Sequence, residues 1–179
     1  MDQHQERYVY RIDANDVIQF VNPEWLSFAQ ANEAPQLDAA AVIGRPLWDF
    51  IVGAETRTLY EALFRGLRAR RSEVEIPFRC DSPSVVRHMT LAVRPLVSSE
   101  IELEGRVLRI ESREPVELLS RGAARSDESI PICSICRRLF VHGVWVEAGA
   151  AIVRRDLFGA RPIPRLDERV CDTCARELA

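Results

Sequence analysis

The sequence predicts an α+β fold, an antiparallel sheet with flanking helices, followed by a small C-terminal unit that binds a metal ion. Two observations lead to this prediction. Short β-prone segments lie near both ends of residues 8–113 and helical patterns lie between them, which is typical of an α+β layout. Four of the five cysteines then form two Cys-x-x-Cys pairs near the end of the chain, a spacing typical of metal sites.

The first predicted elements are two strands and a helix. Residues 8–12 and 17–21 are β-prone, and the Asx-rich segment 13–16 between them favours a tight turn. A helix should begin at Pro23, because Asn22 is a favourable N-cap and proline is tolerated in the first helical turn. Residues 33–41 lack a sustained period and lead into a cluster with the breakers Gly44 and Pro46, followed by the apolar segment 47–51, so we expect a loop and one helical turn there.

The longest predicted helix spans residues 54–70, where leucines and a phenylalanine recur on one face. Its apolar stripe consists of Leu59, Leu63, Phe64 and Leu67. Three predicted strands follow at residues 74–78, 85–96 and 107–111, where apolar and polar side chains alternate in places. One face of each of these strands should be buried.

This order of elements resembles the PAS fold over about residues 8–114. The segments that carry the resemblance are residues 10–13 running into 17–22, residues 43–51 and residues 87–96. The resemblance implies a sensing or protein-docking domain, a cavity for an unidentified small ligand, and a homodimer. The helix at 54–71 and its preceding loop contain no histidine, and the helical region contains no cysteine, so heme and flavin-adduct cofactors are not expected.

The chain divides, on this reasoning, into three parts. We predict a PAS-like domain over residues 1–114, a solvated linker over 115–130 and a four-cysteine zinc-binding module over 131–179. The linker is predicted because hydrophobic periodicity is lost where serine, glycine and acidic residues accumulate.

The cysteine pairs Cys133/Cys136 and Cys171/Cys174 are the predicted ligands of one structural Zn²⁺ ion. Each pair has two intervening residues, which lets a tight turn place both sulfurs on one ion, and 34 residues separate the pairs. A module this small buries little core, so metal binding, worth on the order of 10 kcal/mol in zinc-finger peptides, should supply its stability. Nearby arginines at 137, 138, 169 and 176 are expected to offset the thiolate charge.

The tail resembles a small module that follows sensor or receiver domains in some bacterial signalling proteins. The matching residues are 133–138, the Gly143-Val144-Trp145 segment with Glu147, and 171–174. Glu168-Arg169-Val170 replaces the His-Gly-Ile that is common there. This departure leaves the ligands intact and puts a shared partner surface in doubt.

Alternatives to a structural zinc site remain open in the sequence. Iron is the second metal, and a thiol–zinc redox switch is a second role for the cysteines, since zinc thiolates can be oxidised. His142 and His88 are expected to be surface or packing residues, His4 is expected to be disordered, and Cys80 is expected to be an ordinary strand residue.

Composition points to binding rather than catalysis. The chain has a net charge of −3 and no lysine, which argues against general attraction to nucleic acid and suggests a GC-rich bacterial origin. The sequence shows no apolar targeting segment and no membrane span, so we expect a cytoplasmic protein. It also shows no nucleophile, acid pair or phosphate loop that would indicate catalysis. We therefore expect a non-enzymatic signalling protein with a protein partner. The alternative is a nucleic-acid-binding regulator that uses arginines of the tail, namely Arg137, Arg138, Arg154, Arg155, Arg161 and Arg165.

Overall fold

The computed structural model describes residues 6–32, 34–159 and 162–178. His4, Glu33 and Arg161 therefore lie outside the described residues. The first unit contains five strands, β1 (Arg7–Ile12), β2 (Ile18–Val21), β3 (Val74–Arg79), β4 (Val85–Pro95) and β5 (Ile101–Ser112). Its helices are α1 (Pro23–Ala31), α2 (Ala39–Val42) and α3 (Ala54–Arg70), with 3-10 turns at Leu47–Asp49 and Val97–Ser99. The strands form one antiparallel sheet in the order β2-β1-β5-β4-β3.

The predicted α+β class is confirmed, as is the order of two strands, short helices, one long helix and three strands. The Asn22 side chain caps α1 by accepting a hydrogen bond from the Trp25 amide at 3.0 Å. The same oxygen also accepts one from the Val9 amide at 2.9 Å. The Asn22 side chain therefore caps α1 directly after β2 and connects this junction to β1.

Two elements differ from the sequence prediction. Part of the predicted loop forms α2, because the Asp38 carboxylate accepts a hydrogen bond from the Ala41 amide at 2.8 Å and caps this short helix. The last strand begins at Ile101 rather than at residue 107. The glutamates in the first half of this strand make it look like a polar loop in the sequence. Glu102 instead lies on the outer face of the sheet, where it pairs with Arg11 of β1 at 2.8 Å.

The core of the first unit lies between the sheet and α3. Phe64 and Leu67 of α3 are fully buried, and Leu91 and Val93 of β4 face the same core. The predicted apolar stripe of α3 is therefore the packed face of this helix. Leu59, at the N-terminal end of the stripe, contacts the second unit instead.

The second unit is a smaller sheet with two helices. It contains β6 (Arg125–Cys133), β7 (Leu139–Val141), β8 (Val144–Val146), α4 (Ala148–Arg154), β9 (Ile163–Arg169) and α5 (Asp172–Glu177). The strand order is β8-β7-β6-β9, in which β6 and β9 are parallel and the other pairs are antiparallel. An apolar core fills this unit, with Ile132, Leu139 and Val141 almost fully buried.

Residues 115–130 differ from the solvated linker that their composition predicts. Val116, Leu118 and Leu119 are buried in the core of the second unit, and most of β6 lies in this segment. The polar residues 127–129 occupy exposed positions of β6, whereas Ile130 faces the core. The second unit consequently has more apolar core than the cysteine module alone would provide.

The helices in the described ranges are too short or too polar to cross a membrane.

Candidate metal centre

The two cysteine pairs are placed by the parallel strands β6 and β9. Cys133 is the last residue of β6 and lies opposite Arg169 of β9, which puts Cys171 two residues beyond the end of the same ladder. A tight turn follows Cys133, closed by hydrogen bonds from the Arg137 amide to the Cys133 carbonyl (3.0 Å) and from the Cys133 amide to the Arg138 carbonyl (2.8 Å). Both pairs therefore meet at one end of the sheet.

The structure brings all four predicted ligands together. The four Sγ atoms lie within 4.8 Å of one another, and Cys136 Sγ and Cys171 Sγ are 3.9 Å apart. Tetrahedral zinc with Zn–S bonds of about 2.3 Å separates its sulfurs by about 3.8 Å. The sulfur positions therefore fit a four-coordinate metal ion.

Backbone amides support the sulfurs. The Cys171 amide donates to Cys133 Sγ at 3.4 Å, and the Cys174 amide donates to Cys171 Sγ at 3.5 Å. The second of these bonds lies in the first turn of α5, whose free backbone amides face a sulfur. Such bonds stabilise the negative charge of metal-bound sulfur.

The thiols of the cluster do not ionise independently. The hydrogen bond from Cys136 lowers the pKa of Cys133 to about 4, and the same contact, together with burial, raises the pKa of Cys136 above its ordinary value. Burial raises the pKa of Cys174 to about 12. Four thiolates this close need a cation between them, which is the role that a divalent metal ion would fill.

The arginines near the cysteines pair with carboxylates rather than with the sulfurs. Arg137 contacts Glu168 at 3.0 Å, and Arg138 contacts Glu147 at 3.2 Å. Arg169 contacts both Asp167 and Glu55. These arginines are therefore expected to offset the thiolate charge only indirectly, because carboxylates already neutralise most of their positive charge.

The cysteine cluster is attached to the N-terminal end of α3. Thr56 Oγ1 and Ser134 Oγ are 2.7 Å apart, and Thr56 is buried. The Glu55 carboxylate accepts a hydrogen bond from the Val170 amide at 2.8 Å, directly before Cys171. Both contacts hold a residue next to a cysteine ligand, so α3 positions each half of the cluster.

Strand β3 makes the second attachment. The Arg79 amide donates to the Ile135 carbonyl at 2.7 Å. The Arg79 guanidinium also reaches Glu147 of the second unit at 2.7 Å, and Phe78 packs against the cysteine cluster. We call these contacts of α3 and β3 with the second unit the inter-unit interface.

At Gly53 the backbone of the first unit lies close to Glu168 of the second unit. The φ angle of Gly53 is +96°, and a Cβ atom at this position would lie 2.9 Å from the Glu168 carbonyl oxygen. Any other residue would be strained here and would push β9 away from the start of α3.

The remaining candidate residues lie outside the cluster. His142 is exposed in the turn between β7 and β8 with a φ angle of 49°, and His88 Nε2 lies 3.2 Å from Glu111 Oε1. Cys80 follows the end of β3, where burial raises the pKa of its thiol. Sequence reasoning missed Glu55, Thr56 and Ser134, because no periodicity marks a polar contact between two units.

The first unit contains two partly open cavities beside its aromatic residues. One, of about 180 Å³, is lined by Tyr8, Phe28 and Met89 among others, and the second, of about 250 Å³, by Leu37 and Phe50. Tyr10 and Trp25 line both. Phe64 is fully buried, whereas Trp25 and Phe50 line one of these cavities.

No family model matches the chain, and no curated protein matches it. Among solved structures, it is similar to the PAS domain of the quorum-sensing receptor RpfR from Cronobacter turicensis in complex with C12:0, with 13% identity and a TM-score of 0.45 over 61% of this chain and 100% of that chain. The order of strands and helices in the first unit matches the order on which the sequence resemblance is based, and we call this unit the PAS-like unit.

Two further solved structures are similar. A domain of an HTR-like protein from Haloarcula marismortui has 18% identity and a TM-score of 0.40 over 57% of this chain and 98% of that chain. The Aer2 receptor from Vibrio cholerae, described as a dual PAS-heme oxygen sensor, has 14% identity and a TM-score of 0.37 over 59% of this chain and 96% of that chain. These likenesses concern the fold alone.

Proposed function

We propose that this protein is a bacterial cytoplasmic signalling protein that acts by binding. In this proposal the PAS-like unit senses a small ligand or docks a partner, and a structural zinc ion holds the second unit against it. The observation that carries the proposal is the convergence of the four Sγ atoms within 4.8 Å at the inter-unit interface. A metal ion there would fix the PAS-like unit and the second unit in one arrangement.

A closed metal site supports binding rather than catalysis. Four cysteine ligands complete a tetrahedral coordination shell, so no position is left for a water molecule or a substrate. Cys133, Cys171 and Cys174 are also buried, and Cys136 is half-buried. Residues 133–136 and 171–174 would supply every ligand, and the chemistry of the ion would be structural.

Metal analysis tests the first part of this proposal. Purified protein should contain one zinc ion per chain by plasma mass spectrometry, and the visible absorption of iron–thiolate centres should be absent. Cys80→Ser is the matched control and should keep the metal, because Cys80 lies outside the cluster. Stoichiometric iron would replace zinc in the proposal, and metal-free folded protein would remove the structural site.

A comparison of two baits tests the second part. Zinc-loaded protein should retain a specific protein partner from a bacterial lysate, and Cys171→Ser should lose that partner because the interface is released. A homodimer should appear as twice the chain mass in light scattering. A zinc-loaded bait that retains no specific protein would contradict the role in signalling through protein contacts.

The nucleic-acid alternative is weakened by ion pairs in the tail. Arg137 and Arg138 pair with Glu168 and Glu147, and Arg155 and Arg165 contact acidic residues of β6. Arginines that are already neutralised release few counterions from a phosphate backbone. We therefore expect no salt-dependent DNA binding in a fluorescence anisotropy titration.

A redox role is the second candidate, and one observation favours it. The half-buried Cys136 and the buried Cys174 line an open groove of about 280 Å³, which gives an oxidant a route to the cysteine cluster. Hydrogen peroxide would oxidise two thiolates to a disulfide, be reduced to water and release the metal. Zinc release at peroxide concentrations that leave the PAS-like unit folded would support this role, and retention of zinc would dismiss it.

A further inference from the structure

A third cavity, of about 240 Å³, lies between the two units. It differs from the two cavities inside the PAS-like unit because its walls come from both units. The apolar walls come from α3, β3 and the second unit, through Leu59, Leu63, Val74, Ile76, Ile135 and Leu178. A cavity of this size with such walls suits a small apolar group.

The charged residues that line this cavity are acidic. Glu75 and Glu177 line it, and arginine and histidine are absent from its lining among the described residues, although the chain contains 24 basic residues other than histidine. Glu75 is paired with Arg106 at 2.7 Å. Glu177, by contrast, has no ion-pair partner within the described ranges, so one carboxylate is available to a ligand.

Tyr60 adds an uncharged polar group. It lines both this cavity and one of the cavities inside the PAS-like unit, and burial raises the pKa of its hydroxyl to about 12. Its hydroxyl makes no hydrogen bond to another described residue. A polar ligand could therefore accept a hydrogen bond from it or donate one to it.

We propose that the cavity between the units binds a small amphiphile with an apolar body and a cationic amine. The apolar walls would bury the body, and the Glu177 carboxylate would face the amine. A ligand with a carboxylate end group would be repelled, because the only charged residues that line this cavity in the described part of the chain are acidic.

The cavity depends on the metal site, so this inference rests on the zinc-binding part of the proposed function. Ile135 lies between Cys133 and Cys136, and Leu178 follows Cys174 by one turn of α5. Metal loss would release both walls. Bound amine should accordingly slow the removal of zinc by a chelator, since a ligand that binds one state stabilises it.

Calorimetric titration of the zinc-loaded full chain tests the inference with three probes of equal length. Octylamine should bind saturably, octan-1-ol more weakly, and octanoate not at all. Glu177→Gln should weaken octylamine binding about threefold, the size expected for an exposed ion pair. Glu24→Gln, an exposed carboxylate on α1 remote from the cavity lining, should leave the affinity unchanged.

A second pair of variants locates the site. Leu63→Trp should fill the cavity between the units and abolish octylamine binding, whereas Leu37→Trp should fill a cavity of the PAS-like unit alone and leave binding unchanged. If Leu63→Trp does not fold, the affinity of Glu177→Gln for octylamine tests the inference instead, because a substitution at the exposed Glu177 should leave the fold intact. Equal affinity for octanoate, or full affinity in Glu177→Gln, overturns the inference, while metal analysis of the same samples reports on the zinc site independently.

Discussion

The two units are stabilised in different ways. The PAS-like unit has long antiparallel ladders, and its core is one cluster of apolar side chains around Phe64 of α3. The second unit pairs the longer strands β6 and β9 with the three-residue strands β7 and β8, and its interior is divided between an apolar core around Ile132 and the cysteine cluster at the inter-unit interface. Apolar burial thus accounts for the first unit, whereas the second combines apolar burial with a cysteine cluster that could hold a metal ion.

The division inside the second unit changes what metal binding has to provide. A module of residues 131–179 alone would depend on its metal for most of its stability. Residues 115–130 add Val116, Leu118, Leu119 and Ile130 to its core. Metal loss should therefore disorder the cysteine end and the inter-unit interface, and leave the core around Ile132 partly folded.

The largest expected effect comes from removing a ligand. Cys171→Ser should abolish stoichiometric zinc binding and lower the free energy of unfolding of the second unit by on the order of 4 kcal/mol, because the remaining three thiols can no longer complete the site. Hydrogen exchange should rise in α5 and in the first turn of α3. Cys80→Ser should change neither quantity, and a stable zinc-free second unit in Cys171→Ser would refute the metal contribution.

Truncation of the apolar core should have the next largest effect. Ile132→Ala should lower the free energy of unfolding by about 3 kcal/mol, because it opens a cavity at a fully buried position. Chemical denaturation of zinc-loaded protein measures it. Val144→Ala, on the exposed edge strand β8, should cost less than about 0.5 kcal/mol. An Ile132→Ala variant as stable as wild type would mean that the metal alone holds the second unit.

A smaller effect is expected at the inter-unit interface. Thr56→Val should cost about 1–2 kcal/mol, because it removes the hydroxyl partner of Ser134 at a buried position. Ser134→Ala in the Thr56→Val background should recover part of the loss, since neither hydroxyl is then left unpaired. Thr58→Val, whose hydroxyl bonds to a carbonyl of its own helix at an exposed position, is the control. An equal loss of unfolding free energy in Thr56→Val and Thr58→Val would show that the Thr56–Ser134 contact contributes no more than a hydrogen bond within one helix.

The smallest effect concerns acid pH. Burial alone would raise the pKa of Glu147, but its hydrogen bonds to Arg79 and Arg138 outweigh burial and lower that pKa below its ordinary 4.5. A lowered folded-state pKa stabilises the protein above the unfolded-state pKa, and this stabilisation is lost as the pH falls through the folded-state value. The difference in unfolding free energy between wild type and Glu147→Gln should therefore shrink as the pH falls below 4.5. A difference that stays constant with pH would contradict this assignment.

Periodicity explains which elements the sequence could predict. The stripe of α3 and the alternation in β4 mark their buried faces directly, and both elements are confirmed. The spacing of the cysteines indicated the metal cluster because two short turns constrain four sulfurs locally. The stripe, the alternation and each Cys-x-x-Cys pair are local patterns, although 34 residues separate the two pairs.

The contacts that depend on docking could not be predicted in this way. Strand β6 is hidden because its exposed residues 127–129 are polar and its apolar pattern begins only at Ile130. The Thr56–Ser134 and Glu55–Val170 contacts join residues far apart in sequence. Nothing in their local pattern distinguishes them from solvated residues on a helix and a turn.

The parallel pairing of β6 with β9 has a consequence for the order of assembly. Cys133 and Cys136 are neighbours in sequence and can capture a metal ion early, but Cys171 and Cys174 arrive only when the chain has passed through β7, β8 and α4 and returned to β6. If the cysteines hold a metal ion, we therefore expect its site to be completed only when β9 has paired with β6. In stopped-flow refolding, the slowest phase should accelerate as free zinc is added, while the collapse of the PAS-like core should not respond.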